Sequence, residues 1–227
     1  MAWKLTHKKR GEEEHWQVSY IDLLTAMIAA FVLLLSMSKP DQAKLDVFAA
    51  AADVKKKNQE NLSTLAQQLS ESIKRDTTLT NQVTVVLTDD GIELRFLSSL
   101  LFPIGKAKLQ PDGYDAILKM MPKLQAFVIA RKAYLSIEGH TDDQPIIGGK
   151  EFKSNWELSV ARANEVVHML QDSGKVDVAR LSAVGFADAR PANKERDPET
   201  GTFTDDARAQ NRRVVIRIYY YTEAQSD

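Results

Sequence analysis

Two groups of residues place charge where it is either costly or chemically useful. Asp22 is the only charged residue in the stretch Val18 to Met37. A carboxylate inside an apolar segment of this length is expensive, and such groups by default serve ion or proton paths. The competing reading is a solvated carboxylate near the interface, since Asp22 stands only four residues after Val18. The second group is Asp142 with Arg162. Asp142 follows an apolar run that ends in Gly139. Arg162 stands with Asn155 and Ser159 at spacings of three and four, which puts all three on one helical face. A carboxylate and a guanidinium held on rigid elements can read a ligand that carries an ammonium beside a carboxylate. The planar guanidinium fork suits the carboxylate, making two parallel charge-assisted hydrogen bonds. Taken singly, such an aspartate is more often a turn cap and such an arginine a surface residue. Arg212 and Arg213 read as ordinary charges at the start of a strand.

Other chemistry is thin. His7, His15, His140 and His168 show no metal-ligand spacing, and His140 is expected to be packed or hydrogen-bonded at a strand end. No phosphate loop and no nucleophile elbow is present, so the reading is of a chain that is not an enzyme and carries no metal or cofactor. The 227 residues bear a net charge of -1, without the basic footprint of a nucleic-acid binder. The chain has no cysteine, which excludes a disulfide framework and a thiolate metal site.

The elements that must hold these groups can be read in order. Leu23 to Met37 is apolar apart from Thr25 and Ser36, and about 20 helical residues cross a bilayer core. A signal peptide is the rival reading, because Lys4, Lys8, Lys9 and Arg10 resemble a charged leader. The length of the run, the place of Asp22 inside the segment and the remoteness of the small residues Ala49 to Ala52 favour an uncleaved span. The basic flank points to a cytoplasmic N-terminus. Lys39-Pro40-Asp41 breaks the helix. Leu45, Phe48 and Ala52 predict a short helical piece, and Leu62, Leu65, Leu69 and Ile73 an amphipathic helix, read as a solvated spacer, with a dimerising or channel-blocking segment as the alternative. A domain begins near Gln82. Val83 to Leu87 is a strand, Asp89-Asp90-Gly91 a hairpin turn, and Ile92, Leu94 and Phe96 alternate with Glu93 and Arg95 in a second strand. Pro111-Asp112 opens a helix that Pro122 kinks or splits. Tyr134 to Glu138, Leu181 to Gly185 and Val214 to Tyr221 are strands, and a helix runs from Asn155 to Gln171. On that helix, Trp156, Val160, Ala163, Val167 and Leu170 form the stripe expected to pack on the sheet. The expected class is α+β: one transmembrane helix, a helical linker and a two-layer α/β sandwich. The expected divisions are an N-terminal tail at 1–17, a span at 18–38, a linker at 39–81 and a domain at 82–222.

Four ordered motifs carry a resemblance. GHTDDQPI (139–146), NWELSVARANEVVHML (155–170), RLSAVGFADARPA (180–192) and QNRRVVIRI (210–218), with LLFPIGKAKLQPDG (100–113) before them, resemble the OmpA-like peptidoglycan-binding domain over residues 83 to 221. SYIDLLTAMIAAFVLLLSMS (19–38) resembles the single span of the MotB family, whose members are stator subunits of ion-driven motors, flagellar stators and the Zorya anti-phage subunit among them.

The resemblance implies a function and its residues. Asp142 and Arg162 would contact the ligand, the diamino diacid of a peptidoglycan stem peptide, with Thr141, Asn155, Leu158, Asn211 and Arg212 as pocket positions. Asp22 would carry a proton or sodium ion. The chain would sit in the bacterial inner membrane with a periplasmic C-terminal domain. Its partners would be peptidoglycan, a second copy of itself, and a ring of five MotA- or ZorA-like membrane subunits around that homodimer, with no nucleic acid. The short connection between span and domain favours the Zorya type over a flagellar stator. A passive tether between membrane and wall, and a wall-processing enzyme, are the alternatives. Asp22 argues against the tether, and the lack of a catalytic constellation against the enzyme.

Overall fold

The computed structural model describes residues 15–37, 42–147 and 151–220. Lys4, Lys8, Lys9 and Arg10, the Lys39-Pro40-Asp41 break, Gly148 and Gly149 of the loop, and Tyr221 lie outside the described residues. The chain divides into two units, Met1–Asp53 and Val54–Asp227.

In the first unit, α1 (His15–Met37) is the apolar helix. Its stretch Trp16–Met37 is long and apolar enough to cross a membrane, and its side chains are exposed from Trp16 onward. The 22 residues span about 33 Å at about 1.5 Å each, matching a hydrocarbon core of about 30 Å. Asp22 lies within it, and its carbonyl accepts a hydrogen bond from the Thr25 hydroxyl at 2.9 Å.

The next helix, α2 (Gln42–Arg75), starts in the first unit and continues into the second. The sequence predicts two helical pieces here. The structure joins them, because the intervening AAAADVKKKNQEN contains no glycine or proline to break the ladder. Leu62, Leu65, Leu69 and Ile73 are buried in the core of the second unit. The stretch is therefore not a solvated spacer up to residue 81, and the compact domain takes in the second half of α2. The spacing of these four residues marks an apolar face, and docking against the domain conceals it from water.

The sheet of the second unit has the order β1-β2-β5-β3-β4. The hairpin β1 (Val83–Leu87) and β2 (Gly91–Leu97) turns where expected, pairing Leu87 with Ile92. Gly91 is required there, since a Cβ would lie 2.2 Å from the Ile218 carbonyl oxygen. A short helix α3 (Ser98–Leu101) follows, then α4 (Pro111–Arg131). Pro122 neither splits nor ends α4. An interior proline forfeits a backbone hydrogen bond, but Ala116, Ile117, Met120, Met121, Leu124 and Val128 are buried on both sides of it and hold the helix in place. Then come β3 (Tyr134–His140), α5 (Asn155–Asp172), β4 (Leu181–Gly185), α6 (Asp205–Asn211) and β5 (Arg213–Tyr219). β4 runs parallel to β3, and β5 lies antiparallel between β2 and β3. Neither α3 nor α6 has a periodic apolar signature long enough to be read from sequence.

Period-two alternation sends Ile92, Leu94, Phe96, Leu135, Ile137, Val214, Ile216 and Ile218 into one core shared with α2, α4 and α5. This is the expected two-layer α/β sandwich. Replacing Leu69, fully buried, with alanine should cost about 2–5 kcal/mol by cavity creation. The expected outcome is a clearly lower urea midpoint, and a fragment starting at residue 80 should melt well below one starting at residue 54. A Leu69→Ala protein as stable as wild type would show that α2 is a spacer after all.

Candidate ligand-binding site

The antiparallel register pairs His140 on β3 with Arg213 on β5. The residues just beyond each strand end, Asp142 and Arg212, therefore meet. Arg212 Nη1 donates to Asp142 Oδ2 at 2.5 Å. Arg212 is thus a partner of Asp142 and not the ordinary strand-edge charge that its position suggests.

Two glycines set the position of α5. A Cβ on Gly139 would lie 2.0 Å from the Ser159 carbonyl oxygen, and one on Gly185 would lie 2.4 Å from Val160 Cγ2. The helix consequently rests directly on β3 and β4. Its buried line is Leu158, Ser159, Arg162, Ala163, Val166, Met169 and Leu170. The expected stripe is only partly right: Ala163 and Leu170 are buried, whereas Trp156 and Val160 are 54% and 40% exposed. The close approach rotates a serine and an arginine inward, which hydrophobic periodicity does not anticipate. The Ser159 hydroxyl donates to the Trp156 carbonyl at 2.9 Å and accepts from the Ala187 amide at 3.2 Å. Ala187 has a φ of 46°, a left-handed conformation, and its carbonyl accepts from Thr141 N at 2.9 Å.

Arg162 is 4% exposed. Its Nε donates to the Lys106 carbonyl at 2.9 Å, its Nη1 to Ser98 Oγ at 3.3 Å, and its guanidinium sits 5.2 Å from the Phe102 ring centre. Burial pulls its pKa down to about 10; the Asp142 charge opposes that shift and Arg212 adds to it. Arg162 stays charged at neutral pH, close enough to Asp142 to feel its field yet anchored elsewhere.

The remaining expected positions fall around this pair. Buried Thr141 donates its hydroxyl to the Asp142 carbonyl at 3.0 Å. Asn155 Nδ2 donates to the carbonyls of Asp142, at 3.3 Å, and Gln144, at 2.9 Å. Leu158 is buried beneath. Asn211 is also buried, and its amide is paired with both backbone groups of Asn193 at 2.9 and 3.0 Å, so it acts as a brace for the segment before α6. Asp22 lies in the other unit. Sequence reasoning did not find a second ion pair, Arg208 Nε to Asp143 Oδ1 at 2.9 Å. Its signal is the four-residue spacing of Arg208 and Arg212 facing two adjacent aspartates.

Arg213 is nearly buried and donates to the carbonyls of Asn211 and Arg190, at 3.2 and 3.0 Å. Burial lowers its pKa to about 10. His140, 2% exposed, stacks on Phe186 at 5.3 Å, with Nε2 3.7 Å from Glu138 Oε2. Burial pushes its pKa below 6.5, and nearby Arg213 and Arg190 push the same way, against Glu138. For Glu138 burial is the largest single influence and raises the pKa, but His140, Arg217 and Arg190 together bring it below 4.5.

Matches to known families divide along the same line as the structure. Residues 4–52 match the family described as membrane MotB of the proton-channel complex MotA/MotB, and residues 101–205 match the OmpA family. Over 93% of its length the chain is 29% identical to motility protein B of Bacillus subtilis (strain 168), covering 94% of that protein. A crystal structure of a MotB-like protein from Desulfovibrio vulgaris superposes with a TM-score of 0.59 at 25% identity, over 74% of this chain and 99% of that one. The cell wall anchor of the type VI secretion system from Pseudomonas aeruginosa superposes with a TM-score of 0.55 at 27% identity, over 69% and 97%.

The buried His140–Glu138 pair sets a pH dependence. The unfolded chain takes up a proton near 6.5 that folded His140 refuses, so the unfolded state binds more protons and stability falls as pH drops below that value. Below 4.5 Glu138 repeats the effect, because its folded carboxyl also resists protonation. Urea midpoints measured at pH 7.5, 6 and 5 should therefore decline, and His140→Gln should remove the upper step. A flat profile in the wild type would contradict the buried, neutral His140.

Proposed function

We propose that this MotB-like chain is the wall-anchoring, ion-carrying subunit of an inner-membrane motor, N-terminus cytoplasmic and C-terminal domain periplasmic. The observation that carries the reading is the preformed site of Asp142, Arg162 and Arg212, in a chain whose apolar helix holds a single carboxylate. The peptidoglycan stem peptide presents, on one diamino diacid, an ammonium for Asp142 and a carboxylate for Arg162. Arg162 needs little reorganisation to receive it, since its guanidinium is already fixed. The OmpA-family match over residues 101–205 supports this ligand class.

Asp22 supplies the ion path. Protonation or sodium binding neutralises it, release restores the charge, and the alternation changes its fit to a MotA-like partner ring. The membrane potential contributes about 2.3 kcal/mol per charge per 100 mV. Two copies of the chain inside a ring of five partners complete the assembly in this reading.

For the motor's output, two observations pull apart. The likeness to motility protein B runs through both units and supports a motility stator. The short connection between Met37 and Val83 supports the Zorya type, with phage protection as output. Motility comes first because its support spans 93% of the chain. Swimming and plaque assays on a deletion strain carrying the gene separate the two.

Asp142→Ala and Arg162→Ala should each lose most sedimentation with purified sacculi, since each leaves a charged partner unmatched at a cost of about 2–5 kcal/mol. Undiminished sedimentation of both variants, with unaltered circular dichroism, would remove the ligand assignment. Separately, Asp22→Asn should assemble and bind sacculi normally yet abolish the motor's output. Full output from that variant at normal expression would leave a passive tether.

A further inference from the structure

The short helix α6 and the residue that ends it send two arginines to two consecutive aspartates. Arg208 lies in the last turn of α6, and Arg212 is its extended C-cap, whose amide donates to the Arg208 carbonyl. Arg212 pairs with Asp142 at 2.5 Å, and Arg208 with Asp143 at 2.9 Å. The two pairs differ in exposure. The Arg212 side chain is 44% exposed, the Arg208 side chain 17%. A ligand ammonium that approaches Asp142 competes with the exposed arginine, which has solvent to move into. The covered pair lies out of that exchange.

We propose that the Asp143–Arg208 pair is the positioning element of the site: it keeps the 141–144 segment tied to α6 so that Asp142 stays presented when Arg212 gives way to the ligand. This rests on the reading of Asp142 as the ammonium receptor. The base of the tie is firm. Thr204 caps α6 by accepting from the Ala207 amide at 3.2 Å, and Asn211 locks its other end to Asn193. On the opposite side, Asn155 and Ala187 hold only backbone atoms of the segment. Those contacts fix the path of the chain but do not restrain it toward α6. With Arg212 displaced, Arg208 is the side chain of α6 that still grips the segment. It acts on Asp142 through Asp143 and does not itself touch the ligand.

The test uses the full-length chain in detergent and two probes, a stem tripeptide ending in diaminopimelate and the same peptide with its free side-chain amine acetylated. Acetylation removes the ammonium, so the wild type should bind the acetylated peptide about tenfold or more weakly, the worth of one charged hydrogen bond. Arg208→Gln should weaken the parent peptide about tenfold and shrink the acetylation penalty to about twofold, because a displaced Asp142 no longer distinguishes the two. Arg208→Lys should restore most of the penalty. A merely structural loss would weaken both peptides alike and leave the penalty unchanged. That result, or wild-type binding by Arg208→Gln, overturns the positioning role. A wild type indifferent to acetylation instead overturns the reading of Asp142 on which the proposal stands.

Discussion

The domain's chemistry depends on how closely α5 approaches the sheet. Gly139 and Gly185 have no Cβ, and the Ser159 backbone at the first and the Val160 side chain at the second occupy the space a side chain would need. From that contact the rest follows. Ser159 reaches the Ala187 amide, Ala187 turns to receive Thr141, and Arg162 is carried down to the Lys106 carbonyl and the Ser98 hydroxyl. An α5 lifted by one methyl group would lose these bonds together, since protein interiors transmit displacement and do not absorb it.

The buried guanidinium at the centre is costly by itself. Removing a charge from water carries a penalty of several kcal/mol, and partners must offset it. Arg162 has a carbonyl, a hydroxyl and an aromatic face, while the Asp142 carboxylate is already engaged by Arg212. Two guanidiniums therefore surround one carboxylate, and the local charge is positive by one. A ligand that brings two carboxylates with one ammonium balances the site, and one that brings only an ammonium does not. The Asp143–Arg208 pair beside it is neutral as a unit and does not alter that balance.

Most of the fold was legible because its elements are periodic. The hairpin at Asp89-Asp90-Gly91, the alternation of β2 and the helix that opens at Pro111 all stand close to where their residues place them. The limits lay where tertiary contact decides. Leu62 to Ile73 announce an apolar face, but whether it meets the domain or water is not written in its spacing. Trp156 has far more apolar surface to bury than Ser159, yet the glycines opposite select the serine for burial. Asp142 and Arg162 were legible from motif. The Asp142–Arg212 contact was not, because it arises from the pairing of β3 with β5, strands far apart in sequence.

The location of Asp142 has a mechanical meaning. It stands two residues beyond β3, which is paired with β5 on one side and β4 on the other. A pull on Asp142 along the strand loads both ladders in shear, so many hydrogen bonds resist at once. The same residue at the end of β1, which pairs on one side only, would load a single ladder. In the proposed reading the domain thus takes tension at a strand braced on both sides, not at an edge of the sheet.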